Sequence, residues 1–502
     1  MIPHMAPKLL IRADASGLIG TGHMMRCLAL AQAWQDAGGQ ALFLASECQT
    51  PLKRRLLQEG FALKLKKSAR GSEADADATI TAARAFGAEW VVADGYRFGS
   101  KFQKSIKAAS LRLLIFDDYG HADRYEADIV LNQNLYATDS LYRRRAPETE
   151  LCLGPRFVQL RREFARWRGW ERTFGRKTIR VLVTMGGSDP QNATPQVIDA
   201  LASWPGMNWE ALVVVGPANP RHHELAATVR RLGLPEHVIK QLPDMPEAMA
   251  WADVAIAAAG TTSWEMAFMG LPAAVSITAD NQKAVAESLH AHGLAINLGP
   301  LQRWKPERLK PLFRDAATRR RMSKRGRSLI DGEGAARVVM RLLGHPLRLR
   351  PAEAADCGAV WKWANDPETR RWSFTSKPIP WTAHRSWFQG KLASPACAFY
   401  IAVDARDRAV GCVRFELDGS REAEISVNLA PKSRGQGRGA ILLMMALQEF
   451  LRNRGRCTVR ALIKPDNEAS KRAFGKAGFS EKGRVRVKGQ AALKYIATKA
   501  VL

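Results

Sequence analysis

The chain has 502 residues, 46% hydrophobic and 25% charged, values of a folded globular protein that exclude extended disorder and fibrous repeats. At about 150 residues per domain the length predicts roughly three domains, each large enough for its own core. Lys and Arg number 76 against 48 Asp and Glu, a formal charge of +28, but the basic runs are short and dispersed, which favours solvated helix faces over a specific nucleic-acid surface.

No apolar run approaches the ~18 residues of a membrane span, and the N-terminus shows no basic segment followed by an apolar stretch. Seven scattered cysteines without a C-x-x-C form neither a disulfide framework nor a zinc site. The expectation is a cytoplasmic protein without membrane insertion or a bound metal.

From Lys8 to about Gly154, the runs KLLIRAD, QALFLAS, EWVVADG, LRLLIFDD and ADIVLNQN read as buried parallel strands, each continuously apolar rather than alternating. Between them MMRCLALAQAWQDAG is a helix ended by Gly38-Gly39, and EADADATITAARAFG another ended by Gly87. After a charged connector (RREFARWRGWERTFGRK) the alternation restarts with TIRVLVTMGG, WEALVVVGP, HVIKQLP, VAIAAAG and AAVSI, then a helical tail. Two consecutive doubly wound α/β halves, 1–155 and 156–343, predict ligand binding in the cleft between them. A linker at 344–350 follows. From 351 to 502, FYIAVD, AVGCVRFEL and AEISVNLAP read as meander strands, followed by helix GAILLMMALQEFLRN, strand TVRALIK and helix NEASKRAFGKAGF, an α+β domain. The positive excess is denser after Pro346 (29 basic, 14 acidic) than before it (47 and 34), which suits steering of small anionic ligands.

The first strand–helix turn carries Gly20, Gly22, His23 and Arg26. The glycines allow close backbone approach, the new helix points N–H groups into the crevice, and His23 and Arg26 share a face one turn apart. In the second half, Gly186, Gly187, Ser188 and Asp189 follow a strand in a pattern that suits a diphosphate. Thr261 or Thr262 caps a helix in which Glu265, one turn in, either accepts ribose hydroxyls or caps the helix. Asn281 and Gln282 follow the next strand on the same rim.

RADASGLIGTGHMMRCLALA, MGGSDPQNAT, AAGTTSWEMAFMGLP and ADNQ resemble the UDP-sugar hydrolases of the pseudaminic acid pathway, which are themselves similar to GT-B glycosyltransferases. The resemblance implies a two-lobed GT-B-like fold and a UDP-2,4-diacetamido-2,4,6-trideoxy-β-L-altropyranose substrate. It also implies C–O cleavage with inversion and without metal, His23 as the catalytic histidine, Tyr96 as a family tyrosine, and UDP in the second half with Glu265 on the ribose. The chemistry suits these parts: an imidazole deprotonates water, and backbone N–H groups receive the leaving diphosphate.

Arg434-Gly435-Gln436-Gly437-Arg438-Gly439, between a strand and a long apolar-faced helix, resembles the R-G-x-G-x-G/A loop of GNAT acetyltransferases, whose N–H groups cradle the pyrophosphate of acetyl-CoA. NEASKRAFGKAGF resembles the second GNAT signature, which implies Asn467 beside the pantetheine or thiol, while Phe474 stands where many GNATs have Tyr. Asn365, Asp366, Arg370, Arg371, His384, Trp387 and Phe388 resemble the acetyltransferase of the same pathway, acting on a UDP-4-amino sugar. The alternatives are a GT-B glycosyltransferase, a hydrolase of a legionaminic-type UDP-diamino sugar, or, in another class, a basic nucleic-acid-binding or scaffold protein.

Overall fold

The computed structural model describes residues 6–497 except 18, 188, 190, 203–207, 217–218, 220, 222–223, 226, 228–235, 240–241, 243, 345–346, 405–406, 420–421, 436–437 and 455–456. The expectations placed on Ser188, Gln436 and Gly437 therefore lie outside the described residues. The chain divides into two compact units, Met1–Val339 and Met340–Leu502.

The first unit contains two parallel sheets. One comprises β1 (Lys8–Ala13), β2 (Gln40–Ala45), β3 (Ala62–Leu65), β4 (Trp90–Asp94), β5 (Arg112–Phe116), β6 (Ile129–Asn132) and β7 (Glu150–Leu153), in the order β3-β2-β1-β4-β5-β6-β7. The other comprises β8 (Ile179–Thr184), β9 (Trp209–Val214), β10 (Glu236–Ile239), β11 (Val254–Ala258), β12 (Ala273–Ile277) and β13 (Ala295–Pro300), in the order β10-β9-β8-β11-β12-β13. Both sheets reverse direction of winding beside their first strand, so each opens a crevice at the carboxyl ends of β1/β4 and β8/β11. The strands read as continuous apolar runs because both faces are covered: Leu9, Leu10, Ile11, Val91, Val92 and Ala93 are fully buried. Arg12 interrupts β1, yet its buried guanidinium pairs with Asp75 and Asp14.

The charged connector between the lobes is tied down by an aromatic side chain and by a backbone hydrogen bond. Phe164 joins the second-lobe core. The Arg162 N–H donates to Gln32 Oε1 on the helix Gly22–Asp36.

The second unit is a mixed sheet of β14 (Arg348–Pro351), β15 (Cys397–Val403), β16 (Ala409–Leu417), β17 (Glu422–Leu429), β18 (Thr458–Ile463), β19 (Phe479–Val487) and β20 (Gln490–Ala497), in the order β14-β15-β16-β17-β18-β20-β19. The 344–350 segment expected as a linker already contributes to β14, because Leu347 and Leu349 turn into the core. All pairings are antiparallel except β17–β18, which runs parallel and pairs only at Glu422–Glu424 with Thr458–Arg460 before the strands part. The helix Arg438–Arg454 covers this sheet through Leu442, Leu443, Ala446, Leu447 and Phe450, the last stacked on Phe415 at 4.2 Å.

Candidate active site

A cleft of about 540 Å³ runs between the two parallel sheets, lined from the first lobe by Gly20, Gly22, His23, Arg26, Asp94 and Tyr96. The second lobe adds Gly186, Gly187, Asp189, Thr261, Thr262, Asn281 and Gln282. The glycines expected to admit a ligand also let the lobes approach each other. A Cβ on Gly187 would overlap the Thr21 side chain, and one on Gly22 would stand 3.5 Å from Thr261 Oγ1.

His23 enters from the first turn of the helix Gly22–Asp36, with Nδ1 2.6 Å from Asp94 Oδ1 at the end of β4. With the proton on Nδ1, the Nε2 lone pair is left for chemistry. Burial alone would raise the Asp94 pKa, but Arg26 and His23 more than offset it and hold the carboxyl well below its usual range. Arg26 donates Nε to Asp94 Oδ2 and Nη2 to Oδ1, both at 2.7 Å, and Nη1 to Asp118 Oδ1 at 2.8 Å. The guanidinium expected to bind substrate is thus largely committed to two carboxylates. The Tyr96 hydroxyl donates to Asp118 Oδ2 at 2.8 Å and accepts Asn281 Nδ2 from the opposite lobe at 2.9 Å. Burial first, and the Asp118 charge next, push the Tyr96 pKa far up.

Several second-lobe side chains are committed locally. Asp189, with φ of +41°, accepts the Ala193 and Thr194 N–H groups and the Thr194 hydroxyl, so its carboxylate starts the helix Ala193–Ala202 rather than facing a ligand. Neither Thr261 nor Thr262 makes a side-chain cap on the helix Thr262–Phe268. Gln282 folds back onto Thr278. The Glu265 Oε1 accepts Arg161 Nη2 at 2.8 Å, so the carboxylate expected on a ribose is engaged by a guanidinium. Burial raises the Glu265 pKa while Arg161 opposes the shift.

In the second unit, the loop before Arg438–Arg454 is set by Arg434. Its guanidinium reaches Asp366 at 2.6 Å, Thr369 Oγ1 at 2.8 Å and the Leu429 carbonyl, so it braces the loop and leaves ligand contact to the backbone. Gly435 takes φ of +76°, which favours glycine. Arg438 opens the helix and Gly439 follows it. Asn467, expected beside the pantetheine or thiol, has its Oδ1 accepting the Ser470 N–H and caps the helix Glu468–Lys476. Beyond Glu424, β17 is free of β18, leaving a backbone edge able to pair with an extended ligand.

Residues 346–480 match the family described as "Acetyltransferase (GNAT) domain". The Bacillus subtilis protein named "Putative phosphinothricin acetyltransferase YwnH" is 30% identical over 143 residues, covering 27% of this chain and 86% of YwnH. The second unit belongs to the GNAT acetyltransferases. Residues 181–325 match the "Glycosyltransferase family 28 C-terminal domain", so the chain joins a GT-B-like pair of lobes to a GNAT domain. The UDP-2,4-diacetamido-2,4,6-trideoxy-beta-L-altropyranose hydrolase of Campylobacter jejuni is 29% identical over 196 residues, covering 39% of this chain and 65% of that protein. The protein MJ1062 of Methanocaldococcus jannaschii is 23% identical over 502 residues, 95% of this chain and 98% of its own.

In the GNAT domain, Phe474 is buried against Phe479 at 5.1 Å, so that helical turn offers packing and no hydroxyl. Asn365 grips the Ile379 backbone through both its amide atoms, and Asp366 both caps the helix Pro367–Trp372 and holds Arg434. His384 and Phe388 are buried in an aromatic cluster with Trp387. The sequence alone does not reveal the partnerships of Asp94 and Asp118 or the parting of β17 from β18. The strand-end positions of the two aspartates were their only sequence signal. No group of three His, Cys, Asp or Glu suited to a metal occurs among the described residues, and no described helix is long and apolar enough to cross a membrane.

Proposed function

We propose that the chain is a bifunctional nucleotide-sugar enzyme of the pseudaminic acid pathway. Residues 1–155 carry the sugar and the catalytic His23, residues 156–343 hold UDP, and the GNAT domain within 351–502 N-acetylates the preceding UDP-4-amino sugar. The lobes then hydrolyse UDP-2,4-diacetamido-2,4,6-trideoxy-β-L-altropyranose to the free sugar and UDP. Chain order is thus the reverse of reaction order.

The observation that carries this reading is the His23–Asp94 pair in a cleft faced by the glycine loops of the opposite lobe. Nε2 takes a proton from water as the water oxygen attacks the anomeric carbon, and the C–O electron pair leaves with UDP. Asp94 stabilises the imidazolium, which returns its proton to solvent. The Tyr96 hydroxyl hydrogen is engaged by Asp118 and one lone pair by Asn281, so the oxygen accepts a hydrogen bond from the water and the neutral phenol supplies no proton. Backbone N–H groups around Gly186 and Gly187 receive the diphosphate charge. The name of the Campylobacter relative supports the substrate.

Acetyl-CoA supplies the acetyl thioester. The residues fit it: the backbone at Gly435, Arg438 and Gly439 for the pyrophosphate, and the unpaired β17 edge from Ile425 for the pantetheine amides. The test is an NMR-followed incubation of the UDP-diacetamido sugar without acceptor, and of the UDP-4-amino sugar with acetyl-CoA. Anomeric release and N-acetylation are the expected results. UDP release that depends absolutely on an added acceptor sugar makes the lobes a glycosyltransferase instead.

A further inference from the structure

We infer that Arg26 is a positioning residue that keeps His23 a neutral base with its proton on Nδ1, and is not a ligand of the sugar nucleotide. The inference rests on the hydrolase reading for its kinetic consequence, but its geometry stands apart from any substrate. A fully buried carboxylate touching an imidazole favours the imidazolium, which has no lone pair for water. Arg26 grips both oxygens of that same carboxylate, at 2.7 Å each, and its Nη2 lies 3.3 Å from His23 Nδ1. A doubly protonated ring would set a second cation beside the guanidinium.

The grip is itself fixed. Asp118 takes Nη1 at 2.8 Å and Nη2 at 3.2 Å, and the guanidinium lies 5.0 Å from the Phe116 ring centre. Asp118 is tied further to Tyr96 and to Asn134 Nδ2. The remaining groups facing the pair do not substitute for that charge. Cys27, on the same helix, donates its thiol to Asp94 Oδ2 at 3.5 Å, and burial keeps it protonated. Tyr96 meets the His23 ring edge-on at 5.0 Å as a neutral phenol, and Asn281 approaches from the other lobe uncharged. Arg26 is therefore the cation in direct contact with the His23–Asp94 pair among the described residues.

The test is a pH titration of the ¹⁵N-labelled full chain by imidazole-detected NMR, with the His23 resonances assigned by their loss in H23N. In R26Q, or in R26M should the glutamine variant not fold, the His23 midpoint is expected to rise by about one unit or more over the parent. R26K, which retains the charge, restores the midpoint toward the parent value. A folded R26Q or R26M whose His23 titrates with the parent overturns the inference. In turnover assays the acid limb of the kcat profile rises by the same interval, while the UDP Kd changes less than about threefold. A tenfold loss of UDP affinity with an unmoved limb makes Arg26 a ligand and overturns the inference as well. If the parent releases no UDP from the sugar nucleotide, the hydrolase reading fails, and the NMR titration still decides the role of Arg26.

Discussion

Gly187 of the second lobe lies against Thr21 of the first so closely that a Cβ on the glycine would overlap the threonine side chain. Gly187 is not among the positive-φ glycines, so an alanine adds bulk without backbone strain. G187A is expected to wedge the cleft open and to lower kcat/KM for UDP release about 10- to 100-fold. Its melting temperature stays near that of the parent. Adding T21G recovers most of the activity. The coupling in that double-mutant cycle measures lobe approach directly, and additive losses would remove the contact from the mechanism.

His23→Ala is expected to abolish UDP release while UDP still binds, as measured by calorimetry. Asp94→Asn keeps the shape of the pair but removes the charge that stabilises the imidazolium, and kcat falls by about 10³-fold. The Asp94 carboxyl is held below its usual range by Arg26 and His23, so its contribution to stability is present above the unfolded value near 4 and is lost only as pH falls through the lower folded value.

The residues that sequence could place were those governed by local chemistry. An apolar strand, a glycine turn and the start of a helix put His23 at a crevice without any knowledge of its partner. Asp94 lies 71 positions away, and only the β1–β4 adjacency brings the two together. Arg26 and Arg434 were read as ligand residues because a cation near a glycine loop suggests an anion, yet each is neutralised by carboxylates from distant segments. Asp189 and Asn467 show the same ambiguity at short range. Both have the side chain of a binding residue and of a helix cap, and the cap takes them because a buried N–H group without a partner is costly. The parting of β17 and β18 has no residue signature, since both strands continue with β-forming sequence.

Tyr96→Phe separates acceptor from acid. Removing the hydroxyl leaves Asp118 paired with Arg26 and Asn134 but strips the site of one contact to water and of the bond to Asn281. The expected loss in kcat is about 10- to 100-fold, and neither the parent nor Y96F shows a basic limb in its pH profile. No such limb arises because burial beside Asp118 has already pushed the phenol's titration far above the assay range. A basic limb that disappears in Y96F would show the phenol donating its proton.

His384 is a buried histidine in the GNAT domain whose Nε2 has no hydrogen-bond partner. Trp381, Trp387 and Phe388 surround the ring, and burial lowers its pKa, opposed by a bond to the Cys357 backbone. The neutral ring is the folded form, so this group's contribution is present above the unfolded pKa near 6.5 and is lost as pH falls below it. Protection factors of the helix Trp381–Ala393, taken relative to the intrinsic exchange rate at each pH, are expected to fall between pH 7.5 and 5.5. In His384→Phe that loss of protection is smaller, and an equal loss in both proteins would place the pH sensitivity elsewhere.

Arg434 joins three parts of the GNAT domain: the end of β17 through the Leu429 carbonyl, the helix Pro367–Trp372 through Asp366 and Thr369, and the glycine loop through its own backbone. The guanidinium reaches all of them because it is planar and carries five donors, and an ammonium cannot make the same set of bonds. Arg434→Lys is therefore expected to raise the KM for acetyl-CoA about tenfold with a smaller change in kcat, since the loop's N–H groups lose their alignment while the acceptor side is untouched. Arg434→Ala goes further and also loosens the helix Pro367–Trp372, detectable as faster hydrogen exchange there. Hydrolysis of the UDP-diacetamido sugar by the same variants is the control. It should remain at the parent rate, because the described residues that line the His23 cleft belong to the first unit. A parallel fall in both activities would show that the two units do not act independently.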